Sequence, residues 1–96
     1  SAGPTREILD LEPLAEKWKA FGFLVREING HDVPALEALF RDLPQAGGRP
    51  VAVIAHTIKG KGIGFAENDP EWHHKAKLPQ SVLNQLKAAL GAYRKV

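Results

Sequence analysis

A chain of 96 residues with 44% hydrophobic side chains suits one small globular domain, near the size at which a single core just suffices, and excludes a disordered or fibrous protein. Its 13 basic and 11 acidic residues give a net charge of +2 and are mixed along the chain with no basic block, so no nucleic-acid partner is expected; the lack of cysteine excludes disulfides and thiolate metal sites. No apolar run approaches the roughly 20 residues of a membrane span and no secretory signal opens the chain, so no membrane partner and a cytoplasmic location are the expectation.

Residues 1–9 read as an extended lead-in, because Gly3-Pro4 disfavours helix. Asp10 is placed to cap a helix running to about Phe21, with Leu11, Leu14, Ala15, Trp18 and Phe21 as its apolar stripe. Gly22 ends it. Phe23 to Ile28 is rich in β-formers and predicts a strand, with Phe23 and Val25 on one face and Leu24, Arg26 and Ile28 on the other. Asn29-Gly30 is a turn signal, and Asp32 is a good N-cap for a helix over 33–43 whose core face is Leu36, Leu39, Phe40 and Leu43.

After Gly47-Gly48, the apolar run from Pro50 to Ala55 predicts a strand covered on both faces of a parallel sheet. The order strand, helix, strand implies a right-handed crossover. A glycine- and charge-rich loop follows from Lys59 to about Lys77. Pro79 then opens a last helix with Val82, Leu83, Leu86, Ala89, Leu90 and Tyr93 on its buried face. The fold class expected is α/β, a partial three-layer α/β/α arrangement with a short parallel sheet. Two strands alone make a weak sheet, so exposed apolar surface and open edges in need of partners are expected too.

The chemistry concentrates in Lys59-Gly60-Lys61-Gly62-Ile63-Gly64 and in Trp72-His73-His74. In open α/β folds ligands bind beyond the carboxyl ends of strands, and this loop leaves the second strand there. Glycine lets backbone approach a ligand, and two lysines can offset phosphate charge. The same pattern also fits a surface turn with solvated lysines. It matches neither the dinucleotide fingerprint, which needs the full glycine spacing and an immediate helix, nor the phosphate loop, which needs Ser or Thr after the lysine. His73 and His74 can serve as general acid, hydrogen-bond donor to phosphate or metal ligand, or simply as loop histidines; adjacent residues point different ways, so a shared metal is not expected and no metal site is assigned. Glu67, Asp69 and Glu71 read as solvated loop acids, Trp72 as an anchor for the loop, and His56 as a structural histidine.

Several stretches in one order resemble a known family. Gly3-Pro4-Thr5-Arg6-Glu7-Ile8-Leu9, Leu11 to Trp18, Ala20-Phe21-Gly22, Asn29-Gly30-His31-Asp32, Ile54 to Gly62 and Glu67 to His73 are similar to the C-terminal segment of the transketolase N-terminal subunit, its thiamine-diphosphate-binding domain. The resemblance implies that residues 1–96 are a single partial domain, the last part of a six-stranded α/β/α fold. It implies a subunit segment that, in the complete enzyme, helps bind thiamine diphosphate and a sugar-phosphate donor for two-carbon ketol transfer. His73 would carry the catalytic role, and Lys59, Gly60, Lys61, Gly62 and Ile63 would bind the cofactor. His74 stands where many members have glycine and is given no role.

The family's divalent metal, Mg or Ca, is bound by a motif upstream of the matched region, so its ligands are expected to be absent here. The glutamate that activates the cofactor belongs to a companion pyrimidine-binding subunit. Expected partners are therefore the missing N-terminal part of the same subunit and that companion, and the chain is not expected to be catalytic alone. A self-associating interaction module and a small stand-alone phosphate-binding domain are the alternatives.

Overall fold

The computed structural model describes residues 3–43 and 47–92. These fall into two compact units, Thr5–Thr57 and Ser1–Pro4 with Ile58–Val96, each treated separately below.

In the first unit, Thr5–Ile8 forms one helical turn, α1, where an extended lead-in was expected. The next helix, α2, covers Leu14–Ala20 and begins later than the Asp10 cap implied. The reason is local. A residue before proline is pushed out of the helical region, so Glu12 cannot start a helix ahead of Pro13. The Asp10 carboxylate instead accepts from the Glu12 amide at 2.9 Å, and Pro13, extended at φ −79° and ψ 108°, takes the N-cap position without a side-chain cap.

Strand β1 runs Leu24–Asn29 and strand β2 Val51–His56, joined through helix α3, Val33–Asp42. The Asp32 carboxylate accepts from the Ala35 amide at 3.1 Å and so fixes the helix start as the sequence implies. The strands pair in parallel, Leu24 beside Val51 through to Asn29 beside His56. The order β1-α3-β2 with a short parallel sheet is a partial α/β fold. Gly30 fastens the end of the pair: its amide donates to the His56 carbonyl at 2.8 Å, and a Cβ there would lie 2.6 Å from the Thr57 methyl.

Both α2 and α3 pack against β1. Trp18 of α2 meets Phe23 edge-on, with ring centroids 4.7 Å apart. Leu39 and Leu43 face Leu24 and Val51 across a cavity. Of the expected core positions, Leu14, Ala15, Leu36, Leu39 and Leu43 are half-buried, but Phe21 is 83% and Phe40 55% exposed. The two-face covering expected of β2 is also not seen, since Val51 to Ile54 are half-buried and Ala55 is exposed. Two strands and two helices do not supply enough neighbours to close around these side chains.

In the second unit the loop after β2 contains two 3-10 turns, Gly64–Ala66 and Pro70–Trp72, and leads into helix α4, Gln80–Ala92. Pro79 stands before α4, and its carbonyl accepts from the Val82 and Leu83 amides at 3.0 and 3.1 Å. Val82, Leu83, Leu86 and Ala89 are half-buried as the periodicity predicts, while Leu90 is 71% exposed; Tyr93 lies outside the described residues. Among the described residues only Ala66, at 4% exposure, is fully buried, and the loop is built around it.

Candidate functional site

The loop from Ile58 to His73 is held by its own backbone. The Lys61 amide donates to the Ile58 carbonyl, Ile63 to Gly60, and both Ala66 and Glu67 to Ile63, at 2.8 to 3.1 Å. The Asn68 amide returns to the Lys59 carbonyl at 2.8 Å and closes the ring. Three residues take positive-φ backbone to permit this: Gly60 at φ 77°, Gly62 at φ 101° and Asn68 at φ 60°. Asparagine tolerates that region better than most residues with a Cβ. At Gly60 there is no substitute, because a Cβ would stand 2.6 Å from the Ala66 carbonyl oxygen.

The loop acids serve this framework. The half-buried Glu67, read from the sequence as solvated, accepts from the Gly62 amide at 3.2 Å through Oε1. Asp69 accepts from the Glu71 amide at 2.9 Å and starts the second 3-10 turn. Trp72 anchors the segment as expected, with its ring 5.5 Å from that of Phe65 and the Lys75 ammonium 5.2 Å from its centroid.

Closing the ring brings Lys59 and His73 together across 14 residues, with Nζ 3.4 Å from Nδ1. They line a cavity of about 220 Å³ with Gly3, Pro4, Asn68 and Pro70. None of these six residues is acidic, so the cavity offers an ammonium and an imidazole to a ligand without a competing carboxylate in its wall. The His73 ring stands edge-on to His74 at 4.5 Å. The charge of His74, and next that of Lys59, pushes the His73 pKa below the ordinary histidine value of 6.5. A lysine can only donate, so a neutral His73 accepts at Nδ1 and keeps its proton on Nε2, which is left as a donor to a further oxygen.

The six residues singled out from the sequence thus divide. Lys59 and His73 meet at the cavity; Gly60, Gly62 and Ile63 shape the loop through their backbone; Lys61 is exposed and is not among the cavity's lining residues. Asn68 and Pro70 were not anticipated as lining. The signal for them is Asn68-Asp69-Pro70 itself, a turn sequence that reverses the chain between the lysine and the histidine. His56 belongs to the other unit, where Nε2 lies 2.9 Å from Glu27 Oε1 across the two strands, in keeping with a hydrogen-bonded structural histidine. Among the described residues no cluster of three or more His, Cys, Asp or Glu is arranged to hold a metal ion, and no helix is long and apolar enough to cross a membrane.

No protein-family model matches the chain. Over 74 residues, 77% of this chain and 26% of the relative, it is 47% identical to one of the named subunits of the apulose-4-phosphate transketolase of Actinobacillus succinogenes. The protein of the same name in Phocaeicola vulgatus is 37% identical over 73 residues, 76% of this chain and 26% of its own length. The 6-deoxy-6-sulfo-D-fructose transketolase subunit SqwG of a Clostridium species is 40% identical over 72 residues, 75% and 26% of the two lengths. The chain therefore spans about a quarter of the length of these curated relatives. Matches over three quarters of the chain to proteins named as transketolase subunits support the transketolase family for it.

Proposed function

We propose that residues 1–96 are the last part of a single thiamine-diphosphate-binding domain in a cytoplasmic transketolase subunit, and that in the complete enzyme this segment helps hold the cofactor diphosphate and a sugar-phosphate donor for two-carbon ketol transfer. The observation that carries the reading is the meeting of Lys59 Nζ and His73 Nδ1 at 3.4 Å on a cavity with no acidic residue in its wall. A diphosphate fits this donor set. Lys59 offsets its charge, Nε2–H of a neutral His73 donates to a phosphate or sugar oxygen, and the left-handed Gly60 keeps the loop tight beneath them. When bound, thiamine diphosphate supplies the electron sink that ketol transfer requires. The residues of this chain bind and orient.

The rest of the reading follows the relatives' names and lengths. Proteins named as individual subunits of a transketolase imply a companion, and a chain spanning 26% of them leaves most of such a protein outside it. The segment is therefore inactive by itself. The missing part of the same polypeptide is assigned the divalent metal, Mg or Ca, and the companion pyrimidine-binding subunit completes the active site.

His73→Ala in the reconstituted two-subunit enzyme tests this. Loss of a positioned donor lowers turnover by roughly 100-fold, while the thermal stability of the assembly barely changes, since His73 is exposed. Unchanged turnover at saturating donor and cofactor would sink the assignment.

A second reading rests on the sheet. Among the described residues β1 and β2 pair only with each other, and Phe21 stands 83% exposed, which also suits a module that associates with its own copies. A mass that rises with concentration, with no thiamine diphosphate bound at any stage of reconstitution, would select that reading.

A further inference from the structure

The unit of Thr5–Thr57 holds a larger cavity, about 670 Å³, at the end of the sheet opposite to the turn after β1. Among the described residues its walls are Leu24, Arg26 and Val51 of the two strands, Leu39, Asp42 and Leu43 at the end of α3, and Gly47 and Arg49 ahead of β2. The volume lies within the range of small-molecule sites, roughly 300–1,000 Å³.

The sequence makes its two surfaces different in kind. Leu24 and Val51 are register partners, and Leu39 and Leu43 sit one helical turn apart, so four aliphatic side chains contribute the apolar lining. Arg26 follows Leu24 by two positions on the same strand face, and Arg49 stands in the bend before β2. Both arginines line the cavity. Asp42 is the one acid in the lining and leaves an excess of one positive charge there. Among the described residues neither arginine makes an ion pair, with Asp42 or any other acid, and Arg26 donates only to the Val25 carbonyl, at 3.4 Å. A guanidinium carries five donors in a planar fork suited to carboxylate and phosphate oxygens.

We infer that this cavity binds a small organic anion, with a carboxylate or phosphate head held by Arg26 and Arg49 and an aliphatic body lying over Leu24, Leu39, Leu43 and Val51. Asp42 repels the head and so sets its orientation, towards the arginines. This site shares no residue with the Lys59 and His73 cavity and does not depend on the function proposed for it.

The test is an NMR titration of the protein in the longest form in which it occurs, read at arginine side-chain N–H and leucine and valine methyl signals. Three probes separate head from body: octanoate carries both, octan-1-ol only the body, inorganic phosphate only the charge. Octanoate is expected to shift Arg26, Arg49, Leu39 and Leu43 saturably and to bind more tightly than either control. Arg26→Gln and Arg49→Gln each weaken it by roughly two- to fivefold, as for an exposed charge pair. Asp42→Asn strengthens it, and this variant keeps the proposal open to test if an arginine variant fails to fold. Equal affinity for octanol would reduce the site to an apolar patch. Arginine signals that ignore octanoate, because an acidic side chain elsewhere in the protein already holds them, would also overturn the proposal.

Discussion

Replacing Gly60 by alanine isolates what the loop geometry contributes, because three glycines of this chain differ in only two respects. Gly64 has no positive φ and open space where a Cβ would go; Gly22 has φ 93° and equally open space; Gly60 has φ 77° and the Ala66 carbonyl oxygen at 2.6 Å. Alanine at Gly64 should be close to neutral. At Gly22 it incurs the left-handed strain alone, about 1–2 kcal/mol. At Gly60 the same strain combines with a contact that flexible side-chain rotation cannot relieve, since the obstructing atom is backbone, so the loss is about 2–4 kcal/mol. Native-state hydrogen exchange at the Asn68 amide reads the local part directly, because that amide closes the loop on the Lys59 carbonyl. Gly60→Ala should speed its exchange while Gly64→Ala leaves it unchanged. A Gly60→Ala protein no less stable than Gly22→Ala, with Asn68 still protected, would refute the argument that Gly60 is fixed by the Ala66 backbone.

Two further outcomes follow from single contacts. Asp32→Ala removes the acceptor of the Ala35 amide and should lower stability by about 1 kcal/mol, measured by denaturant unfolding, with Asp32→Asn or Asp32→Ser retaining most of it. The His73 imidazole should titrate below 6.5 by NMR, and its midpoint should rise most in His74→Gln and less in Lys59→Gln, following the two charges that lower it. The sign for stability is fixed by the same shift: the unfolded chain binds the proton more tightly, so the contribution of His73 rises as pH increases through its folded midpoint towards 6.5 and is lost below that window. A midpoint unmoved by either substitution would remove the assigned cause.

What the sequence discloses depends on how local the physics is. Asp32 ahead of Val33 and the Asn29-Gly30 turn act within a few residues, and the helix and strand they delimit appear where expected. Asp10 has the right chemistry for a cap too, but Pro13 acts closer and diverts its carboxylate into a turn. Hydrophobic stripes reveal which face wants burial and not whether anything covers it. Phe21, Phe40 and Leu90 follow helical spacing yet remain exposed, because the partner surface is not made by neighbouring residues. The candidate site shows the same limit. Lys59 and His73 are conspicuous by type, but their meeting depends on Asn68 adopting φ 60° and on Gly60 tucking under Ala66, neither of which a residue pattern states.

The exposed apolar side chains bear on what this surface is shaped for. Among the described residues the outer edges of the sheet pair with no strand, and Phe21 and Phe40 stand 83% and 55% exposed. A self-sufficient domain would have replaced Phe21 and Phe40 with polar residues at little loss, since exposed aromatics contribute nothing to its own core. Their presence favours a surface shaped to be covered. On the reading proposed above, Phe21→Ser and Phe40→Ser should leave the isolated chain's unfolding nearly unchanged but weaken its association with the remainder of the proposed subunit. Equal destabilisation of the isolated chain would mean that these rings already support its own fold.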